Sequence, residues 1–298
     1  MGDRLANLLA GEQRAFLGRD RRGWDDHLAR VRAFLGEGLA RADRSQPALI
    51  LGAGTGLEVP WEIAPPVAVG WDADPWSRLG TLLRHRRWPR WIFADLSGGL
   101  GELDALTARC VREPWGARRT RSVAQARARL TGLLPSLDPS PAALARWIAE
   151  RRPGTILSAN VLGQLGHVAQ QLVGRRLGPW WEDAFPPEGL SEALEGWLGR
   201  LLRAHLRALA ASGAELWLVH DRGVLHGGQE LALGPWREPW PEQVLGLGQA
   251  ELEDPLAGVD VPAELQGLGR IVERRERWLW PVAAGQTHVV EALVSFPD

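Results

Sequence analysis

The sequence predicts an α/β fold with a doubly wound, mostly parallel central sheet that ends in an antiparallel hairpin. Short apolar runs that end in polar residues alternate with stretches long enough for helices. The last two apolar runs, 276–282 and 287–296, are separated only by Ala-Ala-Gly-Gln, which is typical of a hairpin. The chain has 298 residues and is 45% hydrophobic, which suffices for one large α/β domain or two small ones with a packed core.

The N-terminal 46 residues are predicted to form a helical cap that precedes the sheet. In DDHLARVRAFLGEGLARA (25–42), apolar residues recur at steps of three and four, the pattern of an amphipathic helix. Pro47 ends this pattern, and the apolar run ALILGAG (48–54) follows directly. We therefore expect a helical cap at 1–46 and the α/β domain at 47–298.

Five parallel strands are predicted within 48–54, 67–71, 90–94, 155–159 and 215–219. The last four are followed by polar residues: Asp72, Asp95, Asn160, and the pair His220 and Asp221. Two connections are long for such a sheet. We expect a helical insertion at 96–154 and a loop or lid at 175–190.

The composition excludes several kinds of chemistry and partner. All 35 basic residues are arginine and tyrosine is absent, so neither a lysine Schiff base nor a tyrosine acid/base is available. A single cysteine, Cys110, leaves no internal disulfide and no metal cluster, and a reducing cytoplasm is expected. The net charge of −1 argues against a nucleic-acid partner. No apolar run reaches the roughly 18 residues of a membrane helix.

A glycine-rich turn follows the first predicted strand, in LILGAGTGLEVP (49–60). Gly52, Gly54 and Gly56 would let a ligand approach the bare main chain. The dinucleotide fingerprint G-x-G-x-x-G needs a third glycine where this chain has Leu57. A phosphate-binding P-loop needs a lysine, which the chain lacks.

Two aspartates extend this pattern. Asp72 lies about 20 residues beyond the glycines, where an acid can accept both hydroxyls of a ribose. Asp95 follows the third strand, at an edge from which it could reach an adenine amino group. A nucleoside without a pyrophosphate would suit this set. Alternatively, Asp72 or Asp74 caps the next helix, and Asp95 belongs to an ordinary Asp-Leu-Ser-Gly turn.

With these motifs in place, the chain resembles the class I S-adenosylmethionine-dependent methyltransferases. The matching segments are LILGAGTG (49–56), VGWDADP (69–75), FADLSG (93–98) and TILSANVLGQL (155–165), followed by the terminal hairpin. The resemblance implies a Rossmann-like sheet of seven strands, with S-adenosylmethionine lying across the carboxyl ends of strands one to four. By matching positions it implies the following roles: Gly52, Gly54 and Gly56 under the donor, Asp72 on its ribose, Asp95 near its adenine, and Asn160 and Gln164 at the junction with the acceptor.

The chain departs from the family pattern in two places. Ile50 stands where many members have an acid near the amino-acid end of the donor, and Glu58 is the candidate replacement. The fourth motif has neither Asn-Pro-Pro-Tyr nor Asp-Pro-Pro-Tyr, which argues against amino methylation of bases in that style. The resemblance is closest to little-characterised bacterial members. It therefore implies a cofactor and leaves the acceptor, a small molecule or a protein, unidentified.

Candidate catalytic residues come from the end of the fifth strand. His220 or Asp221 could take a proton from the acceptor, since the ordinary pKa of histidine lies near neutrality. Equally, His220 could simply be hydrogen-bonded to a loop. Trp180 and Trp181 could form a substrate wall or a packing plug. No metal site is predicted.

The sequence therefore predicts methyl transfer from S-adenosylmethionine, with two alternatives. One is a non-catalytic scaffold with the methyltransferase fold. The other is an NAD-dependent oxidoreductase, which the missing third glycine and the absence of a Tyr/Lys pair weaken.

Overall fold

A computed structural model describes residues 22–54, 56–74, 76–86, 89–112, 122–177, 189–226, 252–283 and 286–298. These residues build one eight-stranded sheet with helices packed on both faces. The strands are β1 (Ala48–Leu51), β2 (Val69–Asp72), β3 (Arg90–Phe93), β4 (Thr155–Ala159), β5 (Glu215–His226), β6 (Leu252–Glu253), β7 (Arg270–Ala283) and β8 (Gln286–Pro297).

The strand order β3-β2-β1-β4-β5-β8-β7 confirms the predicted Rossmann-like fold. Strands β1 to β5 pair in parallel, whereas β8 pairs antiparallel with both β5 and β7. Two details differ from the expectation. The short strand β6 adds an eighth strand beside β5. Strand β5 also continues to His226, because β8 supplies main-chain partners along its whole length.

The described helices are α1 (Arg22–Arg41), α2 (Trp76–His85), α3 (Leu100–Val111), α4 (Val123–Leu133), α5 (Ala142–Arg151), α6 (Val161–Leu177), α7 (Leu190–Ala210) and α8 (Val261–Gly267). Helices α3 to α8 bury their apolar faces in one core cluster, and α1 belongs to a second cluster on the other face of the sheet. None of the described helices combines the length and apolarity needed to cross a bilayer.

Helix α1 forms as its apolar spacing predicts. It buries Val31, Phe34, Leu35 and Leu39 against the sheet. A Cβ atom at Gly38 would lie 2.7 Å from the Trp217 ring, so this glycine allows the helix to approach β5 closely. Residues 1–21 of the predicted cap lie outside the described residues, and the boundary at residue 46 stays a prediction.

The connection between β1 and β2 departs from the simple alternation of strands and helices. Among its described residues, 52–54 and 56–68, the chain forms turns rather than a helix. Val59 and Trp61 are buried in the α1 cluster, and the prolines of this segment disfavour a helix. Arg32 of α1 donates to the main-chain oxygens of Leu57 and Val59, at 3.1 and 3.4 Å, which holds the connection in place.

The region 96–154 contains α3, α4 and α5 within its described residues. All three contribute apolar side chains to the larger core cluster, including Leu103, Leu130 and Leu144. In the predicted loop 175–190, residues 175–177 belong to α6, and 178–188 lie outside the described residues.

Candidate functional site

A cavity of about 650 Å³ opens at the edge of the sheet where the parallel strands end. The predicted residues Gly52, Gly54, Asp72, Asn160, Gln164 and Asp221 all line it. The β7–β8 hairpin closes one side with Trp280 and His288, because β7 ends and β8 begins at the same edge. Residues that come from five strands and from α1, α6 and α7 thus meet around one space.

The glycine turn follows β1 with an unusual main-chain conformation. Gly52, Gly54 and Gly56 have φ values of +63°, +48° and +76°, which disfavour residues with a Cβ atom. A Cβ atom at Gly52 would lie 2.3 Å from Cγ2 of Val161, at the start of α6. Gly52 and Gly54 therefore leave the main chain bare where it borders the cavity. Gly56 is not among the described residues that line the cavity: a Cβ atom there would lie 2.9 Å from Oγ1 of Thr81 on α2, so its contact with the donor stays a prediction.

Asp72 is held against this turn by the main chain. Its Oδ2 accepts the N–H of Gly54 at 2.9 Å, and its Oδ1 accepts the N–H of Asp74 at 2.8 Å. Burial raises the pKa of Asp72 to about 6, although the two main-chain hydrogen bonds act in the opposite direction. Asp74, in contrast, accepts the N–H of Trp76 at 2.9 Å at the start of α2. Asp74 thus performs the capping role, while Asp72 borders the cavity.

Asn160 and Asp221 are joined across the ends of β4 and β5. The Asn160 Nδ2 group donates to Asp221 Oδ2 at 3.1 Å, and the Asp221 N–H donates to Asn160 Oδ1 at 3.2 Å. Asn160 has a φ of +52°, a conformation that asparagine tolerates better than most residues. A Cβ atom at Gly163 would lie 2.8 Å from the Cβ of Asp221, so this glycine allows α6 to approach the pair. Gln164 follows on α6 as an exposed cavity residue.

His288 is a site residue that the sequence analysis missed. Its Nδ1 lies 3.1 Å from Asp221 Oδ2, and its side chain lines the cavity. Burial alone would raise the pKa of Asp221, but His288 and the amide of Asn160 outweigh it and lower that pKa. One signal was available: β8 runs antiparallel, so its first residues must return to the edge at which β5 ends.

His220 points away from the cavity, since adjacent residues of a strand face opposite sides of the sheet. It is fully buried, and its Nε2 lies 3.3 Å from Oε2 of the buried Glu291. The Nε groups of Arg275 and Arg277 donate to the other oxygen of Glu291. This geometry does not favour the predicted role of His220 as a base, and it leaves Asp221 as the residue of the pair that borders the cavity.

Asp95 uses its carboxylate locally and is not among the described residues that line the cavity. Its Oδ1 accepts the N–H of Ser97 at 2.9 Å, and its Oδ2 accepts the N–H of Gly101 at 3.1 Å in the first turn of α3. The alternative of an ordinary turn describes this geometry, and the contact with adenine stays a prediction. Trp180 and Trp181 lie outside the described residues.

Glu58 lines the cavity beside the glycine turn. This position agrees with its candidate role as the replacement for the acid that is absent at Ile50. Its Oε1 lies 3.6 Å from Nε2 of His27 on α1. The ring of His27 stacks on Trp280 with centroids 3.8 Å apart, and its Nδ1 accepts the N–H of Trp278 at 3.2 Å. Helix α1 thereby connects Glu58 to the hairpin.

Comparison with known proteins yields structural neighbours only: no family model and no curated protein sequence matches the chain. The N-methyltransferase NodS from Bradyrhizobium japonicum is 11% identical, with a TM-score of 0.42 over 94% of this chain and 99% of that one. A SAM-dependent methyltransferase from Anabaena variabilis is 11% identical, with a TM-score of 0.41 over 89% and 83%. Magnesium protoporphyrin IX methyltransferase from Synechocystis, which was solved with bound S-adenosylhomocysteine, is 12% identical, with a TM-score of 0.35 over 92% and 84%. At these identities the likeness concerns the fold.

Proposed function

We propose that the protein transfers a methyl group from S-adenosylmethionine to an acceptor bound in the same cavity. One observation carries this proposal: the buried carboxylate of Asp72 is fastened to a bare glycine turn at the rim of the cavity. This arrangement suits a nucleoside, whose ribose hydroxyls need an acceptor and whose remaining atoms need close access to the main chain.

The residues present fit such a donor. The two carboxylate oxygens of Asp72 accept one main-chain hydrogen bond each and a third from the side chain of Ser77. Of the roughly four acceptor sites of a carboxylate, one is left for a ligand hydroxyl group. The cavity volume lies within the range of about 300–1,000 Å³ that is usual for small-molecule sites. Asp72 would hold the ribose, and Glu58 is placed to face the amino-acid end of the donor.

S-adenosylmethionine supplies an activated methyl group, so the protein has to align the acceptor and exclude water. Asn160 fixes Asp221 through two hydrogen bonds, which restricts the orientation of that carboxylate. Beside it, His288 could receive a proton from an acceptor that has to lose one.

The turns that follow the glycines count against the oxidoreductase alternative. A dinucleotide pyrophosphate is usually held at the N-terminus of the helix that follows the glycine turn. Among the described residues between β1 and β2 there is no such helix, and Leu57 lines the cavity where the third glycine would stand. A nucleoside without a pyrophosphate agrees better with this geometry.

Calorimetric titration tests the proposal directly. The purified protein is titrated with S-adenosylmethionine, S-adenosylhomocysteine and NAD, and the titrations are repeated with Asp72→Ala. Binding of the first two ligands should weaken by about 10- to 100-fold in the variant, because a hydrogen bond to a charged group contributes about 1.5–3 kcal/mol.

Asp43→Ala is the matched control. Asp43 is an exposed aspartate in the turn before β1, away from the cavity, and its removal should leave all affinities unchanged. If folded native protein binds neither S-adenosyl compound, the methyltransferase proposal fails and the scaffold becomes the better account. Tighter binding of NAD would instead favour the oxidoreductase.

A further inference from the structure

The cavity has two chemically different ends. Asp72 ends β2 and Asp221 lies in β5, and two strands, β1 and β4, separate them in the sheet. Three inter-strand spacings of about 4.8 Å place the two strands about 14 Å apart in the sheet. If the donor occupies the end near Asp72 and the glycine turn, the acceptor has to enter at the end formed by Asp221 and the hairpin.

The wall of the cavity is acidic, although arginine is abundant in this chain. Among the described residues that line it there are six carboxylates and no arginine. The six are Glu58, Asp72, Glu195, Asp221, Glu253 and Asp254. Glu58 and Asp72 belong to the donor end, and Asp254 forms an ion pair with Arg222 at 3.4 Å. A wall of this kind repels an anionic acceptor and attracts a cationic one.

Asp221 adds an independent observation, because one of its oxygens is left without a hydrogen-bond partner. The residue is 5% exposed, and Oδ1 has no partner among the described residues. Asn160 and His288 both approach the other oxygen, Oδ2. A buried carboxylate oxygen without a partner is costly, and a ligand N–H group would satisfy it.

Aromatic side chains stand at the same end of the cavity. Trp24 of α1 and Trp280 of β7 both line the cavity, and they contact each other edge-to-face with centroids 4.5 Å apart. The Trp280 ring also lies 5.2 Å from the ring of His288. Tryptophan is the aromatic residue that attracts cations best. The aromatic rings and Asp221 thus favour the same charge on a ligand.

We propose that the methyl acceptor is a primary or secondary amine, which binds as an ammonium ion between Asp221 and the tryptophans. This inference rests on the proposed function and names its substrate class. The ammonium N–H donates to Oδ1 of Asp221, and its substituent packs on Trp24 and Trp280. Asp221 is a binding residue in this arrangement, and Asn160 is a positioning residue.

The reaction balances with the groups present. The ammonium loses one proton to His288 Nε2, which in this structure accepts the amide N–H of Gln286 at 3.2 Å and takes the proton once that amide has turned away. The Nδ1 of the same ring contacts Asp221. The neutral nitrogen then forms a bond to the methyl carbon, while the carbon–sulfur bond breaks and its electron pair remains on sulfur. The products are a methylated ammonium ion and S-adenosylhomocysteine.

Three probes of similar size and different charge test the inference by binding alone. The native protein, saturated with S-adenosylhomocysteine, is titrated calorimetrically with 2-phenylethylamine, 2-phenylethanol and 3-phenylpropanoate. We expect the amine to bind at least about tenfold more tightly than the alcohol, with the carboxylate weakest, because only the amine can pair with Asp221. This comparison needs no variant.

Asp221→Asn then locates the effect. It removes the charge and keeps the shape, so the preference for the amine over the alcohol should fall by about tenfold. Affinity for S-adenosylhomocysteine should stay within about twofold, since Asp72 lies at the other end of the cavity. Glu264→Gln is the control, because Glu264 pairs with Arg203 on α7 and does not line the cavity.

The outcomes separate the two proposals. Equal binding of the three probes, a preference for the carboxylate, or no amine binding at millimolar concentration overturns the amine inference. An amine preference that survives in Asp221→Asn overturns the assigned site. If S-adenosylhomocysteine fails to bind, the proposed function fails on its own, and the same probes then test the unliganded protein for the cationic site.

Discussion

Asp72 and Asp221 are both buried carboxylates, yet their surroundings shift their pKa values in opposite directions. At Asp72 burial dominates and the pKa rises to about 6. At Asp221 the contacts with His288 and Asn160 outweigh burial, and the pKa falls. At neutral pH both carboxylates carry charge, but only at Asp72 does this charge lower the free energy of unfolding. Such a cost is typical of a residue retained for binding rather than for stability.

Asp72→Asn should make the protein more stable relative to the native chain as the pH rises. A carboxyl group whose pKa is raised in the folded state binds its proton more tightly there than in the unfolded chain, so the native protein loses stability as the pH rises towards 6. The unfolding free energy of Asp72→Asn minus that of the native chain should increase by about 2 kcal/mol between about pH 4.5 and about pH 7.5. Urea unfolding at the two pH values measures it.

Asp43→Asn is the control for this pH dependence. Hydrogen bonds from the main chain and side chain of Ser45 lower the pKa of Asp43, so its carboxylate stabilises the fold once the pH exceeds the ordinary value. The unfolding free energy of Asp43→Asn minus that of the native chain should therefore decrease between the same two pH values. The decrease should be small, because Asp43 is exposed. A difference for Asp72→Asn that does not change with pH would contradict the raised pKa.

At the scale of single elements, helix α1 supports the site as well as covering the sheet. Its arginine Arg32 fastens the connection after the glycine turn, and its His27 lies between Glu58 and the tryptophans of β7. Trp24 forms part of the cavity wall itself. The helix thus joins the part of the cavity beside Glu58 to the part beside Trp280.

Leu35→Ala should destabilise the protein by about 2–5 kcal/mol, because Leu35 is fully buried in the cluster between α1 and the sheet. Leu83→Ala on α2 is the matched control: Leu83 is 74% exposed, and the change should cost no more than about 0.5 kcal/mol. Chemical unfolding measures both. Equal effects of the two substitutions would show that α1 does not pack as described.

At the scale of the whole molecule, the parallel sheet has two edges and the site occupies only one. The carboxyl edge carries the glycine turn, Asp72, Asn160 and Asp221, and β7 ends and β8 begins there. The opposite edge also has a surface pocket, lined by residues that include Arg41, Arg152 and Glu215, where Arg41 forms an ion pair with Glu215. Ligands of open α/β sheets bind outside the carboxyl ends of the strands.

Hydrogen exchange with and without S-adenosylhomocysteine should show that the ligand binds at the carboxyl edge and not at the opposite edge. At 100 times the dissociation constant the ligand stabilises the folded state by about 2.7 kcal/mol, so amides that exchange by opening the site should slow by up to about 100-fold. We expect this slowing in residues 52–54 and 159–164. Residues 152–154 and 211–214, in the loops at the opposite edge, exchange by local opening that leaves the site intact, so they should be unaffected. Slowing confined to them would contradict the assigned site.

The sequence by itself determined the features that depend on local pattern. Alternating apolar runs and helical stretches predicted the parallel sheet, and the short gap between the last two runs predicted the hairpin. The spacing of Gly52, Gly54 and Asp72 predicted that the glycine turn and the carboxylate lie together, and in the structure they are hydrogen-bonded. These features follow from main-chain preferences within a few residues, or from the rule that parallel strands end at one edge.

Only the tertiary structure decided which side chains face the cavity. His220 and Asp221 are neighbours in the sequence, but strand geometry sends one towards Glu291 and the other towards Asn160. His288 and Trp24 reach the site from distant parts of the chain, through the pairing of β8 with β5 and the packing of α1 on the sheet. Side-chain direction depends on register and on contacts between distant segments, and neither is encoded in a local pattern.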